Sequence, residues 1–384
     1  MTNHTEQNAM SYTIAFDISD DGAVIVGEDS SSEGKLRAFR WEDSQISNLG
    51  LLPGMEHARA QAVDAMGKVV IGYCFNGSLV KQSAVSAFWW EEGQMVALPP
   101  LPGNKFSAAT AISDNLKAIV GSSWVKSPEA KTATLWHPEG GAATSLLKLA
   151  EDTGSEATHI TADGTIVVGS SWKTVAPNKR LECHVFLWTA DGGINDLGLG
   201  VPVAMTADGR TIACNRTVDG KSSGFLLDAR AKEPLDVPLL PGCEQALIRA
   251  MDASGNVVVG VCWAGPYHTP TKLLAFLYER GKPTFNLASP TPDAWAEAFA
   301  VDAAGKYVAG LESVGKTYNE NPHYAYLWFE NREEDCGTLE GFDAAEFRFV
   351  NRDGTVAVGF AENPETTVSF IWDKDGKRKI GPLP

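Results

Sequence analysis

Thr161 to Gly169, TADGTIVVG, is the stretch that decides the fold. Asp163-Gly164 suits a tight turn in which glycine accepts positive φ, and the β-branched run after it suits a buried strand, so the stretch reads as the middle of a hairpin. Versions of it return along the whole chain. Anchored on the last residue of the VVG-like segment, they fall at Gly27, Gly72, Gly121, Gly169, Cys214, Gly260, Gly310 and Gly359, 45 to 50 residues apart. A period of that length holding several strands marks a propeller rather than a helical solenoid.

Each unit holds four extended segments in fixed order. The third unit shows Ala108 to Ser113 (AATAIS), Lys117 to Gly121 (KAIVG), Ala133 to Trp136 (ATLW) and a segment around Leu146 to Leu149. The third segment of each unit is the second marker, as in AFRW at Ala38 to Trp41, AFWW at Ala87 to Trp90, VFLW at Val185 to Trp188 and AYLW at Ala325 to Trp328. Alternation puts Phe39 and Trp41 on one face and Ala38 on the other, so large residues meet small ones between blades. First segments are rich in alanine, as at Ala60, Ala62, Ala109 and Ala111, which suits a crowded inner strand. Leu-Pro-Gly after the outer strand, as at Leu101 to Gly103, turns the chain back inward.

Eight such units fill residues 11–384, and residues 1–10 form an N-terminal tail. The expectation is therefore all-β: one eight-bladed β-propeller domain of four-stranded repeats, monomeric. Both ends fall at a blade boundary, so closure rests on packing between the first and last blades, with no strand swapped across the seam.

The net charge of −16 over 384 residues disfavours nucleic acid, whose binding draws on Lys and Arg, and disfavours an anionic membrane surface. No stretch of about 18 apolar residues offers a membrane span, and MTNHTEQNAMSYTIAF lacks the basic-then-apolar order of a leader. Six cysteines (Cys74, Cys183, Cys214, Cys243, Cys262, Cys336) show no CxxC spacing. They read as free, largely buried thiols, which fits a reducing compartment.

The combination of A-x-A-I-S, D-G, V-V-G, A-F-x-W and L-G-x-L-P-G, as in Ala111 to Gly121 and Ala38 to Gly54, resembles the HAF repeat of bacterial extracellular repeat proteins. The His of that name is mostly replaced here, by Arg37, Ser86 and Leu274 among others. The resemblance implies a propeller fold and frequent export, and it brings no defined activity, substrate or catalytic residue. The chain departs from the exported pattern in lacking a leader and a C-terminal barrel and in carrying six cysteines.

No residue constellation points to a reaction. Gly220 to Gly224, GKSSG, matches a nucleophile elbow around Ser222 but connects two strands, where the elbow needs a strand entering and a helix leaving. The seven histidines lack ligand spacing, so no metal or cofactor is expected. Asp20, Asp21, Asp163, Asp208 and Asp353 occupy hairpin turns as turn formers.

The outer-to-inner and second-to-third connections emerge on one face. Trp124, Trp172, Trp263, Trp295, Tyr267, Tyr318, His268 and His323 make that face aromatic, and they read either as packing under their own loops or as a recognition surface. Acidic residues join it, among them Glu56, Asp152, Glu156, Asp293 and Glu297. Arg59, Arg249 and Arg348 sit in or beside inner strands, where they line the axis as an anion site or pair with the acidic rim. The leading expectation is a non-enzymatic binding or scaffold protein that recognises a protein or glycan through this face. The alternative is a carbohydrate-active hydrolase or lyase using acidic residues near the axis, such as Asp293 or Glu297.

Overall fold

The computed structural model describes residues 11–384 apart from 31–33, 79–80, 127, 139, 141, 177–178, 232, 267–269, 289–293, 315–321 and 330–331. The fold is all-β: the described residues form strands and one short 3-10 turn, Pro128–Ala130. Strands come in consecutive antiparallel fours. The fourth unit is Gly154–Ile160, Ile166–Ala176, Lys179–Thr189 and Gly193–Leu199, each hydrogen-bonded to the next. Six such groups are separate four-stranded sheets. The first and last groups are linked, because Tyr12 and Thr13 pair in parallel with Thr367 and Val368.

The hairpin at Thr161 to Gly169 owes its shape to one buried hydroxyl. Thr161 Oγ1 accepts the N–H of Ile166 at 3.0 Å and donates to Asp163 Oδ1 at 2.7 Å, while Gly164 turns the chain at φ +75°. Asp64, Asp252, Asp302 and Asn351 accept the same backbone N–H five residues on, from Val69, Val257, Tyr307 and Val356. Ser19, Ser113 and Thr206 do so through hydroxyls. All eight groups are buried, and each satisfies a donor that would otherwise be orphaned in the turn.

The glycine that ends the motif answers a second constraint. In every unit the first strand bulges by one residue, at Phe16, Gln61, Thr110, Thr158, Val203, Arg249, Phe299 and Arg348. The bulge drives the preceding carbonyl oxygen against the second strand. A Cβ on Gly27, Gly72, Gly121, Gly169, Gly260, Gly310 or Gly359 would overlap that oxygen. Only the fifth unit has a side chain there, the buried Cys214 opposite Pro202.

Both faces of each sheet are buried, so alternate residues of one strand feed different cores. In Leu36–Glu42, Ala38 packs with Val24, Val26, Ala58 and Ala60, whereas Phe39 and Trp41 pack with Val358, Ile371 and Ile380 of the last unit. In Val69–Gly77, Val70 and Cys74 join the core shared with the first unit, and Val69 and Ile71 join Ala109 and Trp136 of the third. Each sheet is thus an apolar layer between two neighbours, the arrangement of a β-propeller.

First strands touch from unit to unit, and Ala344–Val350 touches Tyr12–Ile18. On the hairpin face, backbone bonds run the same way round: Asp20 N–H to Ala65 O, Asn115 to Ala162, Ala162 to Ala207, Ala253 to Ala303, Ala303 to Arg352, and Arg352 back to Asp20, at 3.0–3.2 Å. The seam between the ends of the chain therefore holds more than the packing expected of it. Ser369 Oγ accepts the N–H of Ala15 at 2.7 Å and donates to Thr13 O at 3.0 Å, and Arg352 pairs with Asp20 at 3.1 Å.

The expectation of six free thiols is corrected at one pair. Cys243, in the connection entering the sixth unit, is disulfide-bonded to Cys262 on Val257–Ala264. Cys74, Cys183, Cys214 and Cys336 are in no disulfide. Burial pushes the Cys74 thiol up to about 11 and that of Cys214 up to about 12.

Candidate functional site

First strands start on the face where the outer-to-inner connections arrive and end at the hairpin turns. Near their start, one position faces the residue after the repeated glycine: Ile14 opposite Glu28, Arg59 opposite Tyr73, Ala108 opposite Ser122, Glu156 opposite Ser170, Glu297 opposite Leu311 and Glu346 opposite Phe360. Two residues later comes the bulge. These two positions carry the charge of the inner edge, since the small residues between them, such as Ala60 and Ala157, are buried in the seams.

Three of the charge pairs cross seams and the fourth, Arg348 with Glu346, lies within one strand. Arg59 binds Glu28 of the first unit through two bonds of 2.7 and 2.8 Å, the forked geometry that suits a guanidinium to a carboxylate. Lys131 binds Glu156 at 2.7 Å, Arg249 binds Glu297 of the next unit at 3.3 Å, and Arg348 binds Glu346 at 2.6 Å. The Phe299 ring lies between two guanidiniums, with Arg348 at 3.8 Å and Arg249 at 5.8 Å from its centroid, and Arg59 stands 4.8 Å over Phe16. Glu28 and Glu297 are almost fully buried, while the side chains of Arg59, Arg249 and Arg348 keep 22%, 32% and 37% of their surface.

Electrostatics follow from that burial. Burial raises the Glu346 carboxyl, against the pull of Arg348, and Glu297 nearby adds to the rise. Burial, together with the charge and hydrogen bond of Glu28, pushes the Tyr12 phenol up to about 12. Burial also raises Asp17, next to the bulge, to about 6, although its carboxylate accepts the N–H of Ile18 and Val63 at 2.9 Å. Burial lowers the His159 imidazole, whose ring contacts Val203 O at 3.0 Å.

The predicted residues therefore separate into two groups. Arg249, Arg348 and Glu297 come together on adjacent first strands. His323 stands 4.0 Å from Glu362 at the edge of the same arc. Of the two readings of the aromatic face, burial of the four tryptophans favours packing under the loops. Trp124, Trp172, Trp263 and Trp295 keep no more than 8% of their surface and pack beneath the connections. Trp124 packs on Phe106 with Lys131 over its ring, Trp172 lies opposite Gly154, and Trp263 and Trp295 share one cluster with Val261 and Leu273. Indoles fill the space that glycine and alanine leave where the second strand ends. Tyr267, His268, Tyr318 and Asp293 lie outside the described residues.

Sequence reasoning missed Glu28 and Glu346, because their partners come from another unit or from two residues away on the same strand. Their signal was present as repeat positions at which the residue type changes. Among the described residues no cluster of His, Cys, Asp and Glu is arranged to hold a metal ion, and no helix is long and apolar enough to cross a membrane.

No family model matches the chain, and no curated protein matches it. Among solved structures it is similar to the β-propeller domain of the Trilobed protease from Pyrococcus furiosus, with 11% identity, a TM-score of 0.47, and coverage of 73% of this chain and 85% of that one. It is similar to the tricorn protease, with 8% identity, a TM-score of 0.47, and coverage of 94% of this chain and 42% of that one. A third is TolB from Acinetobacter baumannii, with 12% identity, a TM-score of 0.39, and coverage of 82% and 81%.

Proposed function

We propose that the chain is a closed, eight-bladed β-propeller of HAF-type repeats that acts as a monomeric, non-enzymatic binding protein, taking a protein or glycan partner at the end of the inner edge where the first strands begin. One observation carries this reading. Across the eight repeats, the positions that the fold uses stay close in size or polarity: the small residue just before the first inner-edge position (Thr13, Ala58, Ser107, Ser155, Gly200, Ala246, Ala296 and Ala345), the turn acceptor, and the glycine facing the bulge, which only Cys214 replaces. The two inner-edge positions do not. They run through Ile14, Arg59, Ala108, Glu156, Val201, Leu247, Glu297 and Glu346, and through Phe16, Gln61, Thr110, Thr158, Val203, Arg249, Phe299 and Arg348. The concentration of charge and aromatic rings at these positions on the sixth, seventh, eighth, first and second units supports a contact with something outside the fold.

Partly exposed arginines over aromatic rings, backed by buried carboxylates, offer planar donors and ring faces to a polar ligand. The test replaces Arg59, Arg249 and Arg348 with methionine, which keeps length and removes charge. Loss of binding on a glycan array, or of a partner identified by mass spectrometry after cross-linking, is expected. Undiminished binding by the folded triple variant would refute the choice of site.

The hydrolase reading keeps one specific support, the placement of Glu346, whose carboxyl burial raises, near Glu297, which Arg249 binds. Turnover on a glycan panel that disappears in both Glu297→Gln and Glu346→Gln would place it first.

A further inference from the structure

Five of the connections that bring the chain from an outer strand to the next inner strand share one turn. The N–H of Met55, Asn104, Asp152, Cys243 and Phe342 donates to the carbonyl of Leu52, Leu101, Leu149, Leu240 and Leu339 at 2.8–3.1 Å. Beneath each turn lies the residue two past the repeated glycine: Cys74, Ser123, Ser171, Cys262 and Ala361. That residue receives the connection. Leu101 and Leu149 donate their N–H to Ser123 Oγ and Ser171 Oγ at 3.0 and 3.1 Å, and Leu52 donates to Cys74 Sγ at 3.5 Å.

The third unit adds Asn104 Nδ2 to Ser123 Oγ at 3.0 Å, and the second packs Met55 into the core that holds Cys74. In the sixth unit the same two places are Cys243 and Cys262, joined covalently with Cα atoms 5.8 Å apart. The clamped connection leads straight into the candidate site. Gln245 ties it to the neighbouring hairpins by accepting the N–H of Ser222 at 3.0 Å and donating to Gly265 O at 3.3 Å, and the strand Gln245–Met251 then carries Arg249.

We propose that Cys243–Cys262 is a redox-operated clamp, a covalent form of a contact that other units make without a bond, whose reduction frees the connection entering the sixth unit. The reductant is a dithiol. Its thiolate attacks Cys243 Sγ, the more exposed sulfur, and Cys262 Sγ leaves with the bonding pair and takes a proton. The second thiol then displaces Cys243 as a thiol, so the protein gains two electrons and two protons while the dithiol becomes a cyclic disulfide. Cys262 departs into an apolar cluster with Ala246 and Leu274, where a thiolate is poorly stabilised, so reduction is slow compared with an exposed disulfide.

The test counts thiols by alkylation and mass spectrometry on protein purified without reductant, and then follows melting and hydrogen exchange with and without dithiothreitol. Four alkylated cysteines rising to six are expected, with a fall in melting temperature of about 5 °C and faster exchange confined to residues 237–264. Cys243→Met, which rebuilds the arrangement of the second unit, should melt at the same temperature with and without dithiothreitol. Should it fail to fold, the pair Cys243→Asn and Cys262→Ser, which rebuilds the third unit, serves the same end. Six alkylatable thiols before reduction, or melting and exchange unmoved once the bond is reduced, would overturn the proposal.

Discussion

Replacing Gly169 with alanine tests the bulge that organises every unit. A Cβ at this position would penetrate the carbonyl oxygen of Glu156 and would stand 2.7 Å from the Phe186 ring and 2.8 Å from Ala157 Cα. Two of those three obstacles are backbone, and the third is a fully buried side chain with no second place to go. Relief therefore requires the first and second strands to separate, which stretches the ladder bonds around Ala157 and opens the core shared with the third unit. Overpacking of a core costs about 1–3 kcal/mol, and the weakened ladder adds about 1 kcal/mol for each bond lost, so roughly 3–4 kcal/mol is expected. The assay is urea unfolding of the purified protein, followed by far-ultraviolet dichroism and tryptophan fluorescence. Cys214→Ala, at the same place in the fifth unit, is the control: a side chain already fits there, and trimming it should cost only about 1 kcal/mol. A loss under about 1 kcal/mol for Gly169→Ala would show that the first strand does not press on the glycine.

Asp17 should make stability fall as pH rises, the reverse of a paired carboxylate. Its folded value of about 6 lies above the value of 3.8 usual for the free side chain, so its contribution is fully present below about pH 4 and is lost as pH climbs through 6. The difference in unfolding free energy between wild type and Asp17→Asn should shrink by roughly 2–3 kcal/mol between pH 4 and 7, and a pH-independent difference would contradict the burial of that carboxylate. Deleting residues 373–384 removes the strand Gly376–Ile380 and with it Ile380, which is fully buried with Phe39 and Trp41 at the seam. At least about 3 kcal/mol of stability should be lost, seen as a melting temperature lower by several degrees, and an unchanged melting curve would mean that the ends do not meet there.

The hairpins were legible because their cause is local. Asp163-Gly164 and the β-branched run are adjacent in the chain, and the turn that they specify forms from residues within six positions of one another. The alanines of the first strand and the aromatics of the third were legible for the same reason, through alternation. What depends on neighbours in other units was not. Trp172 and Trp263 follow the repeated glycine closely, and sequence shows that they sit near a connection without showing whether the indole turns outward or under it. The partners of Arg59 and Arg249 lie 31 and 48 residues away, so the ion pairs appear only once the first strands stand side by side. The disulfide escaped because CxxC spacing puts cysteines three apart, whereas Cys243 and Cys262 are 19 apart and meet because a connection crosses over a strand end.

The repeats separate what the fold needs from what it leaves free. The turn donor is satisfied by Thr161, by Ser113, by Asp64 or by Asn351, so selection at that place acts on an acceptor of the right reach rather than on one residue type. The connection is held by Asn104 on Ser123, by Met55 in the core with Cys74, or by Cys243 bonded to Cys262, so there the requirement is contact and the chemistry is open. At the inner edge even that requirement lapses. Leu247 and Glu297 occupy the same place in successive units, one apolar and the other an almost fully buried carboxylate that needs Arg249 to offset its desolvation. A propeller built for stability alone gains little from burying Glu28 and Glu297 where leucine also fits, because replacing such pairs by apolar residues is often neutral or stabilising. Their retention on one arc, with the arginines half in solvent, is what favours a ligand that reads the guanidiniums over an ion-pair belt that merely fills the wall.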